Sequence, residues 1–275
     1  MLPVTLLALT VAFAQPAVHT DYEEAYEQAV REKKDLVIYF RADDRIDTEL
    51  KDNDVQNKLR SYVFLQVPSA YKYKGKRLLD YDALSEMGSK EGLAVVSLHD
   101  QKLPTHNQVI SVHPFVSSRY GWVPEYGSRE IGHILDLPAR ATLSQRSMMY
   151  AIWVHPERPR SIFGIAHRSF LGHAARHSAR QAGMQNQHHA DLIATIGRLG
   201  GEMDKGLGNG SEVVAESWGT FVGGENVLEA SFSCIDAWRH SPGHWSAVSR
   251  EHTYFGYDIA RGANGTWYAT GIFAD

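Results

Sequence analysis

Leu36-Val37-Ile38-Tyr39-Phe40 is an unbroken apolar run of strand length, and its reading decides the architecture of the first half of the chain. A strand apolar at every position hides both faces, which is the pattern of a central strand covered by helices. Upstream, Tyr22, Ala25, Tyr26, Ala29 and Val30 recur at helical spacing and give a helix with one apolar face. Thr20 and Glu23 have capping-box spacing at its start, and Lys33-Lys34 closes it. Downstream, Leu50, Val55 and Leu59 mark a second helix, Tyr62 to Val67 a second strand, and Arg77 to Met87 a third helix. Leu93 to Leu98 and Val109 to Val112 add two strands. Helices and strands alternating at this pitch predict an α/β sheet.

A chain of 275 residues exceeds the usual size of one core, so two domains are expected. Hydrophobic content of 43% and charged content of 22% describe an ordinary globular protein. The net charge of -4 gives no reason to expect nucleic acid as a partner, since that would favour a basic face. Histidine is the outlier, with fourteen residues, most of them from His155 onward. That asymmetry directs the search for chemistry to the C-terminal half.

Residues 1–14 form an apolar run that is too short to span a bilayer and ends in Ala12-Phe13-Ala14. They predict a secretory signal cleaved before Gln15, although the usual basic n-region is missing, and hence a secreted or periplasmic chain with no transmembrane segment after signal removal. Cys234 is the sole cysteine, so no internal disulfide is expected; between Phe232 and Ile235 it reads as a small buried apolar residue.

From about Val18 to Phe115 the chain resembles the thioredoxin-like family. The resemblance rests on the helix ending in Lys33-Lys34, the strand Leu36 to Phe40, and an Arg41-Ala42-Asp43-Asp44 turn where that family carries its redox loop. No Cys-x-x-Cys occurs here, and Gly92-Leu93-Ala94 stands where the family has its cis-proline. Dithiol exchange needs a low-pKa thiolate, so the resemblance implies a redox-inactive copy with no thiol-disulfide oxidoreductase activity. Asp43, Asp44 and Asp47 read as a solvated, capped loop ahead of a cation site.

Pro156 and Pro159 mark a boundary after a helix predicted at Leu143 to Val154. The expected organisation is a signal at 1–14, a thioredoxin-like domain at 15–115, a connector with its own helix at 116–160 that packs on one or both domains, and a second domain at 161–275. The second domain opens with a helix on which His173 and His177 lie one turn apart; such a pair can chelate a metal, but with no third ligand fixed nearby it is expected to be simply exposed. His188-His189 falls where this helix should end. Gly197 to Gly210 holds six glycines and reads as a flexible loop without the strand and helix of a phosphate cradle. A helix from Val227 to Trp238 follows, and Ser241-Pro242-Gly243 is expected to end it and to present His244 just beyond. Tyr254 to Ala260 and Gly265 to Phe273 form a hairpin joined at Asn264-Gly265, giving helices over a small antiparallel sheet.

Residues from about Ala166 to Asp275 resemble the CAP superfamily of cysteine-rich secretory and pathogenesis-related proteins. The elements that carry the likeness are the Ala-rich helix leading to His188-His189, the Ala-Glu216-Ser or Gly-Glu225-Asn element, Trp238-Arg-His-Ser-Pro-Gly-His244-Trp, and the closing hairpin. The resemblance implies an N-terminal thioredoxin-like α/β domain followed by a C-terminal CAP-like α-β-α sandwich. It implies a cleft lined by His188 or His189, by His244 and by Glu216, with Glu225 as the alternative glutamate, able to hold zinc or another divalent cation. The family's second glutamate is absent, with Ser241 in its place, which leaves three protein ligands and an open position. Two functions follow: a secreted binding or scaffold module for an extracellular peptide, lipid or glycan, or a hydrolase of peptides or esters with His244 and Glu216 as its catalytic pair. The absence of Gly-x-Ser-x-Gly and His-Glu-x-x-His places the binding module first.

Overall fold

The computed structural model describes residues 16–41, 43–203, 206–217 and 225–275, so the signal expected at 1–14 lies outside the described residues. In the first half, the elements are β1 (Val18–His19), α1 (Tyr22–Glu32), β2 (Asp35–Arg41), α2 (Asp44–Glu49), α3 (Asn53–Leu59), β3 (Tyr62–Pro68), the small hairpin β4 (Lys72–Tyr73) and β5 (Lys76–Arg77), β6 (Gly92–Val96) and β7 (Val109–Pro114). Five of the strands form one sheet in the order β1-β3-β2-β6-β7. The first three are mutually parallel, and β6 and β7 run antiparallel to their neighbours. The apolar run is thus the central strand, with Asp35 to Phe40 all buried. Asp35, at its head, accepts from the Leu98 and His99 amides at 2.7 and 3.0 Å and so ties β2 to the turn after β6.

Three local expectations change. The cap of α1 is Asp21 rather than Thr20, because the Asp21 carboxylate accepts from the Glu24 amide. The helix through Leu50, Val55 and Leu59 breaks in two, since Asp52 caps a new start and accepts from the Asp54 and Val55 amides. Arg77 to Met87 forms two short 3-10 turns, Leu78–Asp80 and Asp82–Met87, in place of one α-helix. Asp43 caps α2, and Asp47 pairs with Arg41 at 2.6 Å, so these acids serve a capped turn.

The second half contains α4 (Ser128–Asp136), α5 (Leu143–Trp153), β8 (Ile165–Ala166), α6 (Arg168–Met184), α7 (Leu192–Glu202), β9 (Gly210–Glu216), α8 (Val227–Arg239), α9 (Pro242–Ser249), β10 (Tyr254–Arg261) and β11 (Trp267–Ala274). A second sheet has the order β8-β10-β11-β9, antiparallel except for the β8–β10 pair. Alternation along its strands sends Ile272 and Ala274 toward Phe170 and Ala174 of α6, and Tyr257 and Phe273 toward Trp238 of α8. Helices therefore cover both faces, with α6 and α7 on one and α5, α8 and α9 on the other.

The glycine-rich stretch was expected to be loop from Gly197, yet α7 extends to Glu202 and takes Gly197, Gly200 and Gly201 into its turns. The Ser241-Pro242-Gly243 turn also changes role. Here α8 ends at Arg239, and Pro242 opens α9 at the first helical position, where a missing N–H costs nothing. His244 therefore stands in the first turn of a helix rather than on a turn leading into a strand.

Candidate histidine-carboxylate site

The site forms at the free edge of the second sheet, where β9 is the outermost strand. Glu212 lies opposite Ile272 in the ladder, which puts it on the α6 face, and its side chain is only 2% exposed. A buried carboxylate needs donors around it. It receives the Ala190 amide at Oε2 (2.8 Å) and the His189 imidazole at the same oxygen, Nδ1 at 3.2 Å. Its Oε1 faces His173 Nε2 at 3.6 Å and His177 Nε2 at 3.8 Å. Burial alone would raise the Glu212 carboxyl, but the His173, Ala190 and His189 donors and the His177 charge outweigh it and hold the group below the ordinary carboxylate range.

The hydrogen bonds fix which imidazole nitrogens carry protons. Arg198 Nη2 lies 2.8 Å from His173 Nδ1, and a guanidinium can only donate, so His173 Nδ1 accepts and its proton sits on Nε2, toward Glu212. His177 Nε2 donates to the His188 carbonyl at 2.9 Å. Only His173 thus turns an N–H toward the carboxylate, across 3.6 Å, while the His177 N–H is spent on the His188 carbonyl, and Glu212 Oε1 is left without a hydrogen-bond partner among the described residues. Burial lowers the His177 pKa despite the neighbouring Glu212. In this arrangement neither Nε2 has a lone pair for a metal. The expectation of an exposed pair is corrected: His173 and His177 are 6% and 5% exposed, because they face the sheet, where Glu212 supplies an acceptor.

His189 differs. Its Nδ1 donates to Glu212, which leaves Nε2 as the nitrogen with a free pair, and its ring centroid lies 5.6 Å from that of His244. A carboxylate behind one imidazole nitrogen is the outer-shell arrangement that orients a metal-binding histidine. Partial burial and the neighbouring His189 lower the His244 pKa. Two such nitrogens suit a borderline cation such as zinc. Among the described residues no group of three or more His, Cys, Asp or Glu is arranged to hold an ion, so the pair would need water or a ligand to complete a shell.

The remaining sequence candidates lie elsewhere. His188 packs edge-on to His177 at 5.0 Å between centroids, with Nδ1 donating to the Asn186 carbonyl. Glu216 is exposed at the end of β9, four residues or about 13 Å of strand beyond Glu212, and among the described residues its carboxylate meets no imidazole. Glu225 is buried and ion-paired with Arg119. The residues that sequence reasoning missed are Glu212 and Arg198. The strand alternation that puts Glu216 on one face puts Glu212 on the same face, and that was the available signal for Glu212; nothing local singles out Arg198. Comparison of the chain with protein-family models, curated proteins and solved structures finds no match.

Proposed function

We propose that this chain is an exported binding module whose edge cleft holds a divalent cation between His189 and His244. The observation that carries this reading is the Glu212–His189 hydrogen bond, which engages Nδ1 and leaves Nε2 as the free nitrogen of a ring whose centroid lies 5.6 Å from that of His244. Helices on both faces of a four-stranded sheet, with paired histidines at its edge, support a CAP-like second half. The order β1-β3-β2-β6-β7 supports a thioredoxin-like first half. Cys234 is buried in α8, and burial raises its thiol, so the first half has no reactive thiol to use and serves as a packing partner. A bound cation would supply open coordination positions to a donor atom of an extracellular peptide, lipid or glycan. The chain's own part is to orient His189 through Glu212, whose carboxylate is fixed by the Ala190 amide and walled in by the His173 and His177 rings.

Zinc titration of the purified chain by calorimetry tests the reading. One ion should bind, and H189A or H244A should weaken it at least about tenfold, in keeping with the loss of a ligand or of its support. Unchanged binding in either variant overturns the assignment. The carboxylate-backed imidazole also supports a second reading, hydrolysis with an imidazole of this pair as base. Turnover of peptide or ester substrates that disappears in H244A would put that reading first.

A further inference from the structure

Beside the buried imidazoles, α6 carries a second rail, Arg176 and Arg180, one turn apart on its exposed side. Across a concave surface of about 490 Å³, α7 presents Arg198. Arg198 is held at both ends, by Glu202 at 2.7 Å and by His173 at 2.8 Å, which makes it a pre-positioned arm. Arg176 and Arg180 form no ion pair within 4 Å among the described residues, although the Arg176 charge reaches Glu202. The acids nearby are already occupied. Glu202 is taken up by Arg198 and also feels the Arg176 charge, and Asp191 caps α7 by accepting from the Ala194 amide. Glu212 lies beneath the surface with the Ala190 and His189 donors on one oxygen, so three arginines face one ion-paired acid, Glu202. The cleft is therefore locally positive in a chain of net charge -4, and a concave, one-signed surface concentrates the opposite charge.

We infer that this cleft binds a phosphoryl group, received between Arg176 and Arg180 on one helix and Arg198 on the other. Guanidiniums one helical turn apart have Cβ atoms about 6 Å from each other, close enough for both forks to reach one tetrahedral anion. Arg198 approaches from a different helix with the N–H groups that Glu202 and His173 leave over, and this third direction suits a tetrahedral anion with three terminal oxygens better than a planar carboxylate. The space exceeds one phosphate, so the group can belong to a larger molecule, either soluble or a lipid headgroup. The inference does not depend on the cation.

The test uses the full chain with a chelator present, so that failure of the zinc reading leaves it untouched. Inorganic phosphate is titrated calorimetrically at fixed ionic strength, with acetate as the planar comparison. A parallel arm measures sedimentation with phosphatidylcholine vesicles with and without phosphatidic acid. Phosphate should bind more tightly than acetate, and R176Q/R180Q should weaken it at least about tenfold, the loss expected for two charge-assisted contacts. Both side chains are exposed, so the double variant should keep the wild-type circular dichroism. Binding of phosphate assigns a soluble source, and binding of phosphatidic acid vesicles alone assigns a headgroup. Binding of neither, or binding that R176Q/R180Q leaves unchanged, overturns the inference.

Discussion

Two acids on the second sheet illustrate how environment sets a single residue's state. Glu212 is buried yet stays below the usual carboxylate range because donors converge on it; Asp258 is buried with one side-chain donor, Ser144 Oγ at 2.5 Å. Burial pushes Asp258 up to about 7, against the lowering effect of Ser144 and the Ile259 amide. An acid whose folded pKa exceeds its unfolded value binds its proton more tightly when folded. Its contribution to stability is complete below the unfolded value of 3.8 and is lost as pH rises through about 7. D258N keeps an oxygen to accept from Ser144 and removes the titration. Urea unfolding followed from pH 5 to pH 8 should show the variant gaining on the wild type by about 1–3 kcal/mol across that range. A constant difference at all pH values would mean that Asp258 remains ionised in the folded chain.

At the scale of elements, α6 is seated by an absence of side chain. A Cβ on Gly256 would lie 2.3 Å from the Phe170 carbonyl carbon and 2.4 Å from its oxygen, so β10 and α6 touch backbone to backbone. G256A must lift the helix that carries His173, His177, Arg176 and Arg180, at a cost of about 1–3 kcal/mol. It should also disturb the imidazole NMR signals of the site. G183A, on an open part of the same helix, has nothing within 4 Å and should be neutral or slightly stabilising. Equal urea midpoints for the two variants would refute the close seating. Elements with a strong period were legible in the sequence: β2, β3, α1, α5 and the β10–β11 hairpin. What was not legible was decided by position in space. Pro242 ends one helix or begins the next with equal local logic, and only the packing of α9 against β9 and α8 selects the second. Gly197, Gly200 and Gly201 signal a loop locally, but Leu199 packs into the core beside Phe170 and Ile272 and keeps α7 helical through them. For the site, the sequence marked His188 or His189, His244, and Glu216 with Glu225 as its alternative; Glu212 was not among these candidates, because which end of β9 meets the loop after α6 is decided in space.

Over the whole molecule, the two sheets share one core. The main cluster of buried side chains runs from Ala25 and Leu36 through Met148 and Ile152 to Trp238, Tyr257 and Phe273 without interruption. Helix α5 is the joint. Arg146, 1% exposed, donates to Ser111 Oγ on β7 at 2.6 Å and to the carbonyls of Ile134 and Leu137 at the end of α4. From the same helix, Gln145 donates to the Leu171 carbonyl of α6 at 3.2 Å, and Tyr150, one turn beyond Arg146, packs against both His113 of β7 and Phe232 of α8. The stretch expected as a connector is thus part of the interior of both halves. A piece comprising residues 161–275 alone would expose the apolar surface of α8 and β10 that α5 covers, a contiguous patch of the kind that drives association. The full chain should therefore unfold in one step, with tryptophan fluorescence and far-ultraviolet circular dichroism giving the same midpoint. The 161–275 piece should bind a hydrophobic dye and self-associate in sedimentation. Two separated transitions in the full chain, or a monomeric 161–275 piece with native-like near-ultraviolet dichroism, would show that the cores are independent and that α5 merely rests between them.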